Sequence, residues 1–196
     1  MKVGTRLALG FALVLFFLVA VTIVGIFRMS EIQDRLDRVV SVNNVVSRLV
    51  IDMRNNVADR ISSLKVLTLM TDPADMEPEM NQIKARADKY AEAQKKLSDV
   101  FAREGSADEK ALLVQIKENE ALAQAAIAKA SALWLGNDAE SATRVLIKEI
   151  RPPQKKWMEA LDKLAALEEK MSAQAQTEAE SGFNAARNMM IILGLV

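Results

Sequence analysis

The sequence predicts an all-α protein, an antiparallel up-down four-helix bundle between two transmembrane helices, of which the second is truncated. Three observations support this prediction. The 196 residues contain only 7 Gly and 4 Pro, which leaves few turns and disfavours a sheet-rich fold. Uncharged apolar runs stand near both ends of the sequence. Between them, apolar residues recur three and four positions apart, as they do along the buried face of a helix.

The first apolar run, residues 7–27, predicts transmembrane helix 1. It contains no charged residue and would form a helix about 30 Å long, the hydrocarbon thickness of a bilayer. A cleaved signal peptide is the alternative. Its apolar core would be shorter, and small residues would mark the cleavage site, whereas this run is followed by the sequence RMSEIQ. We therefore expect an uncleaved anchor, preceded by a short segment, residues 1–6.

The second apolar run, residues 189–196, predicts the start of transmembrane helix 2, because a run this short cannot cross a bilayer. Residues 28–188 then form a domain anchored at both ends on the same side of the membrane. Charge orients the protein only weakly. Lys2 and Arg6 precede the first span and favour a cytoplasmic N-terminus, yet three arginines follow it.

Turn signals divide the domain into four long helices and one short helix, with expected ranges 28–71, 74–103, 108–135, 138–149 and 152–188. Thr71-Asp72-Pro73 can cap and open a helix. Gly105 fits the left-handed position after a helix, with Ser106 or Asp108 capping the next one, and Gly136-Asn137-Asp138 repeats this pattern. Pro152-Pro153 suits the first turn of the last helix.

The clearest apolar seam lies in the first bundle helix. It comprises Met29, Ile32, Leu36, Val39, Asn43, Val46, Val50, Met53 and Val57. Asn43 in this seam either specifies pairing or is tolerated at a wet edge. Three residues beyond Val57, the same spacing places Arg60 near a core-facing position, which is unusual for a cation.

Composition excludes several functional classes. Without His or Cys the chain has neither disulfides nor thiolate metal sites, and it lacks the commonest general base. No phosphate-binding glycine motif occurs, and the acidic turn around Asp72 and Asp75 lacks the glycine of a calcium loop. Without Lys2 and Arg6, 24 basic residues remain against 26 acidic ones, so we expect no nucleic-acid partner. The sequence predicts a protein that is not an enzyme and holds no metal or cofactor.

The candidate ligand site follows from residue counting. Arg60 lies 32 residues beyond Arg28, and Lys156 lies 32 residues before Asn188, so both stand about 48 Å from the membrane. A cluster at this level would suit a carboxylate, which arginine holds with two hydrogen bonds. The candidate residues are Arg60, Ser63, Arg151, Gln154, Lys155 and Trp157. The alternatives are a snorkelling arginine, an ion pair with Glu149 or Asp59, and a tryptophan that only fills the core.

Three stretches in this order carry a family resemblance: TRLALGFALVLFFLVAVTIVGIFRMSEI, VADRISSLKVLTLMTDP and IKEIRPPQKKWMEALDKL. The chain resembles the N-terminal part of a bacterial methyl-accepting chemotaxis protein with a four-helix-bundle ligand-binding domain. This resemblance implies a multi-pass protein of the bacterial inner membrane with a periplasmic sensor domain. It further implies a homodimer, a small ligand bound near the membrane-distal end, and a signal carried by displacement of the last helix.

The resemblance leaves the ligand and the output open. The aspartate-sensing branch has a proline followed by threonine at the start of the last helix, whereas this chain has Pro152-Pro153, so aspartate specificity is not carried over. We expect a small organic acid or an amino acid as ligand. A homodimer also fits the wide apolar stripe of the first helix, which includes Val42, Val45 and Leu49. The alternative function is the same kind of sensor domain attached to a histidine kinase or a cyclic-dinucleotide enzyme.

Overall fold

The structure, a computed structural model, describes residues 3–38, 42–70 and 72–195. Its elements are α1 (Val3–Arg38), α2 (Asn44–Leu67), α3 (Pro73–Glu104), α4 (Ala107–Leu135), α5 (Ala139–Val145), a π-helical segment (Leu146–Ile150) and α6 (Arg151–Leu195). The all-α prediction is confirmed. Four residues discussed from the sequence lie outside the described residues: Lys2, Val39, Thr71 and Val196.

The predicted turns fall close to the observed helix ends. Helix α2 ends at Leu67, a few residues before the expected position, in a turn whose amides bond to carbonyls three residues earlier. The last helix differs more, because α6 extends beyond residue 188 to Leu195. The apolar residues after Arg187 therefore continue α6, and the second transmembrane helix expected from residue 189 stays a prediction.

Polar side chains cap three helices. Asp72 accepts the Ala74 amide at 2.9 Å, and Asp138 accepts the Ser141 amide at 3.0 Å. Ser106 forms a capping box: its hydroxyl accepts the Glu109 amide at 3.2 Å, and its own amide donates to Glu109 Oε2 at 2.6 Å. These contacts satisfy amide groups that have no partner within the helix.

The left-handed prediction for Gly105 is wrong, because this residue has φ −68° and extended backbone. Glycine is needed there for space, since a Cβ would lie 2.8 Å from atoms of Phe101. After α4 the left-handed conformation belongs to Asn137, with φ 61°, and not to Gly136. Asparagine is one of the few residues that tolerate this conformation.

A π-helical segment joins α5 directly to α6, although the sequence predicts a break before Pro152-Pro153. Prolines inside a continuous helix remove backbone donors, and their rings clash with the preceding turn. The wider turn at Leu146–Ile150 immediately precedes them and relieves this crowding. One side chain of this segment, Ile150, is fully buried and anchors it in the core.

The chain divides into two compact units. The first comprises Met1–Asn43 and Lys170–Val196. One helical segment within its described part, Leu9–Glu31, is long and apolar enough to cross a membrane. None of the side chains described in this segment is buried, and Met29 of the predicted seam is exposed. Asn43 is buried, and its Nδ2 donates to Ser172 Oγ at 3.5 Å.

The second unit, Asn44–Glu169, is the four-helix bundle of α2, α3, α4 and the first part of α6. The seam of α2 is buried as predicted at Val46, Val50, Met53 and Val57. Apolar side chains of α2, α3, α4, α5 and the π-helical segment form one hydrophobic core cluster, and the buried Trp134 is one of its members. This packing brings polar residues of four helices together in the core.

Candidate functional site

Arg60 occupies the core-facing position predicted from the α2 seam, and only 3% of its surface is exposed. Its Nη2 donates to Gln124 Oε1 of α4 at 2.8 Å. Its Nε and Nη1 are buried and have no hydrogen-bond partner. A buried donor left without an acceptor costs about 1–3 kcal/mol. The closed bundle therefore holds an arginine whose hydrogen-bonding capacity is only partly used.

The charge of Arg60 is incompletely compensated. Burial lowers the Arg60 pKa, while the nearby Glu120 carboxylate and Tyr90 raise it. An arginine remains protonated across the accessible pH range despite such a shift. The half-buried Glu120 thus supplies a counter-charge but does not fill the remaining donor positions.

Arg60 belongs to a polar layer to which all four bundle helices contribute. Gln94 Nε2 donates both to Glu120 Oε2 and, at 3.3 Å, to Tyr90 Oη. Trp157 Nε1 of α6 donates to the same Tyr90 Oη at 2.8 Å. We define the polar layer as Arg60, Tyr90, Gln94, Glu120, Gln124 and Trp157.

The aromatic half of the layer consists of Tyr90 and Trp157. Tyr90 and Trp157 pack edge to face, with ring centroids 4.9 Å apart and an interplanar angle of 82°. Both side chains are almost fully buried. Burial and the charge of Glu120 raise the Tyr90 pKa above its ordinary value, so the phenol stays neutral. It serves as a hydrogen-bond acceptor that joins α3 to α6.

The structure shows neither of the two alternatives for Arg60, a snorkelling side chain or an ion pair with Glu149 or Asp59. Its side chain does not snorkel, because it is buried. Asp59 pairs with Arg86 at 3.1 Å, and Glu149 pairs with Lys129 at 2.6 Å. The hydrogen-bond partner of Arg60 is instead a neutral glutamine on α4.

The structure brings two of the six candidate residues, Arg60 and Trp157, into the polar layer. Ser63, one turn further along α2, is half-buried. The other three candidates, Arg151, Gln154 and Lys155, lie in the first turn of α6. Arg151 is exposed, Gln154 is half-buried, and Lys155 is exposed with Glu159 Oε1 at 3.7 Å. Within the described residues, no hydrogen bond or ion pair links these three to Arg60.

A groove of about 500 Å³ lies between α4 and the start of α6. Pro152, Pro153 and Lys156 line one side, and the Lys129–Glu149 ion pair lies within it. Arg60 does not line this groove, whose open face is largely apolar. The groove is therefore a surface feature of the α6 start and does not open onto the buried guanidinium.

Sequence reasoning did not connect Gln94, Glu120 and Gln124 with Arg60. A signal was present, because Gln94 and Glu120 interrupt the apolar seams of their helices in register. A polar residue at a core position needs a partner from another helix. If the polar residues within the apolar seams of different helices had been matched with one another, the position of the polar layer could have been predicted.

The layer contains polar groups of the kinds used in recognition but no catalytic constellation. Its groups are one cation, one carboxylate, two amides, a phenol and an indole, held on four helices. The described residues contain no cluster of three or more side chains able to hold a metal ion. An arrangement of this kind suits recognition of an anion.

A family model described as a four-helix-bundle sensory module for signal transduction matches residues 1–183. No curated protein and no solved structure matches the chain significantly. The match covers the apolar N-terminal helix, the whole bundle and most of α6, and the observed fold agrees with its description. The chain therefore belongs to the family of four-helix-bundle sensory modules for signal transduction and is not a catalytic domain.

Proposed function

We propose that this module binds a small organic anion in the periplasm and passes the signal through its last helix, as the sensing part of a bacterial chemoreceptor. The observation that carries the proposal is the buried Arg60 guanidinium with two unpartnered nitrogens. A carboxylate ligand would supply the missing acceptors, with the planar geometry that arginine recognises best.

Binding at Arg60 requires local rearrangement. Each pair of guanidinium nitrogens that can hold a carboxylate with two bonds includes Nη2, which carries two N–H groups and donates one of them to Gln124. Gln124 therefore occupies only one of the two edges, but the guanidinium is buried, so the ligand must gain access between the helices. Trp157 of α6 is hydrogen-bonded within the same layer, to Tyr90. Opening the layer would therefore also move α6.

The remaining candidates support this role from the start of α6 and, for Ser63, from α2. Arg151 and Lys155 are exposed cations that would attract an anion, and Gln154 and Ser63 are half-buried polar groups that could complete its contacts. The π-helical segment directly before Arg151 adds a further argument, because π turns are frequently found at functional sites. A displacement of α6 would bring this cluster and Arg60 onto one ligand.

The cost of the unpartnered Arg60 donors favours a ligand-dependent change between a closed and an opened state of the layer. In the closed state, unpartnered donors and a desolvated charge destabilise the layer by a few kcal/mol. A ligand that satisfies them binds only the opened state and shifts the population towards it. The same ligand would have no effect on a bundle whose Arg60 was fully paired.

Calorimetric titration of the chain in detergent micelles with a panel of organic acids and amino acids tests the proposal. We expect at least one acid to bind, and Arg60→Met to weaken its binding by about 10- to 100-fold, the value of a charged hydrogen bond of about 1.5–3 kcal/mol. Arg86→Met, which removes an exposed arginine paired with Asp59, is the matched control and should bind as the wild type does. Equal affinity of Arg60→Met and wild type would show that Arg60 is structural only.

We further propose that the module works as a homodimer that pairs through α2. Val45 and Ile51 are 42% and 51% exposed on this helix, in addition to its buried seam. A helix that is apolar on more than one side can face both its own bundle and a partner. Sedimentation of the chain in density-matched detergent should show a dimer that Ile51→Asp weakens, and a monomer at all concentrations would contradict this proposal.

A further inference from the structure

A second set of buried ionisable residues lies outside the polar layer, where the start of α4 meets α6. Glu109 and Glu168 are 3% and 0% exposed, and both Glu168 carboxyl oxygens are buried without a hydrogen-bond partner. An ionised carboxylate buried in this way is so costly that the group takes up a proton instead. The burial of Glu168 therefore favours its protonated form.

The surroundings indicate which residue holds this proton. Glu109 occupies the first turn of α4, and its Oε2 accepts the Ser106 amide at 2.6 Å. A helix N-terminus and a donated amide both stabilise a negative charge. No such donor reaches Glu168, whose two oxygens are buried without a hydrogen-bond partner. Glu168 is thus the residue that holds the proton.

We propose that Glu109 and Glu168 form a proton-binding site that couples external pH to the packing of α6 against the start of α4, giving this sensory module a pH input. This inference goes beyond the proposed anion binding and does not depend on it. The two sites share no residue.

Other charged groups do not compensate Glu168. Among the described residues, Glu109 is the charged residue that acts on the Glu168 pKa, and it raises it. The charged residues at the start of α2, the end of α3, the start of α4 and the adjoining part of α6 are exposed: Arg48, Arg103, Glu104, Asp108, Lys110, Glu169 and Lys170. Loss of the proton would therefore leave an uncompensated charge on Glu168 in the core.

The direction of the pH effect follows from the raised pKa. Burial, together with the charge of Glu109, raises the Glu168 pKa to about 8 from an ordinary value of 4.5. Between these values the folded state holds a proton that the unfolded state has released. The stabilising contribution is therefore fully present below the unfolded pKa and is lost as pH rises through the folded value. At high pH, the buried and unpartnered charge of Glu168 loosens α6 from α4.

Infrared spectroscopy and thermal denaturation of the chain in detergent micelles, between about pH 5 and 9, test the inference. We expect a protonated-carboxyl band that disappears as pH rises through about 8 and is absent from Glu168→Gln. The wild-type Tm should fall over the same range. Glu168→Gln should keep its Tm at high pH, because its amide stays uncharged as pH rises.

Glu169→Gln is the matched control, since it removes an exposed carboxylate from the next position of the same helix. It should retain the infrared band and follow the wild-type pH profile. A wild-type chain without the band at any pH would overturn the inference. So would a Tm of Glu168→Gln that declines with pH in parallel with the wild type. The infrared band requires only folded wild type, so failure of a variant to fold leaves the test intact.

Discussion

Replacing Tyr90 with phenylalanine removes a single buried oxygen from the polar layer. That oxygen accepts Trp157 Nε1 at 2.8 Å and Gln94 Nε2 at 3.3 Å. Gln94 retains Glu120 as an acceptor, whereas the indole of Trp157, 1% exposed, loses its partner. The edge-to-face ring contact is preserved in the variant. The expected effect is therefore the cost of one buried unpartnered donor, about 1–3 kcal/mol.

Thermal and urea denaturation followed by circular dichroism measure this cost. For a chain of this size, about 1 kcal/mol lowers Tm by about 2–4 °C, so Tyr90→Phe should lower it by roughly 2–12 °C. A double-mutant cycle with Trp157→Phe should give a coupling of about 0.5–1.5 kcal/mol. A destabilisation below about 0.5 kcal/mol, typical of surface substitutions, together with zero coupling would refute the claim that this bond joins α3 to α6.

Three further predictions concern the fold. Asn137→Ala should destabilise the chain by about 1–2 kcal/mol in urea denaturation because of its positive φ, whereas Asn137→Gly should be near neutral; equal effects would contradict a backbone cause. Leu164→Ala, at a fully buried position of α6, should cost about 2–5 kcal/mol in the same assay, and Leu135→Ala, at a position 72% exposed, should stay within about 0.5 kcal/mol. A larger loss of stability for Leu135→Ala than for Leu164→Ala would contradict this assignment of the core. Asp162→Ala breaks a half-exposed ion pair with Arg54 at 2.8 Å and should lower the free energy of unfolding by less than about 1 kcal/mol. This loss should be smaller in high salt, which screens exposed charges. A loss that does not depend on salt would contradict an exposed pair.

Much of the fold was predictable from the sequence because its determinants are local. Few glycines and prolines, recognisable caps and a regular seam predict long helices and their ends. The errors lie where local conformation depends on contacts. Gly105 is required by the proximity of Phe101 and not by its φ angle, and the π-helical segment replaces the break expected before Pro152.

The candidate site was predictable only in part. The heptad spacing that places Val57 in the core also places Arg60 there, and burial confirms this position. The partners of Arg60 depend on how four helices align, which single-helix periodicity does not determine. The site composed of Arg60, Arg151 and the other candidates therefore stays a proposal.

The Glu109–Glu168 pair shows the same limit. The sequence S-A-D-E at residues 106–109 has the form of a capping box, and Glu168 lies four residues after the buried Leu164, in the α6 seam. Each residue is locally explicable. Their juxtaposition arises only from the packing of α4 against α6, so a titrating pair could not be predicted from either helix alone.

The fluorescence of Trp157 tests the central claim, ligand recognition in the polar layer, most directly. Trp134→Phe leaves Trp157 as the single tryptophan, and its indole reports on the layer through Tyr90. Titration with the organic acids and amino acids that bind by calorimetry should change its emission saturably, and Arg60→Met in the same background should weaken the response by about 10- to 100-fold. A ligand that binds by calorimetry but leaves the Trp157 emission unchanged, or affects the Arg60→Met chain equally, would contradict the account.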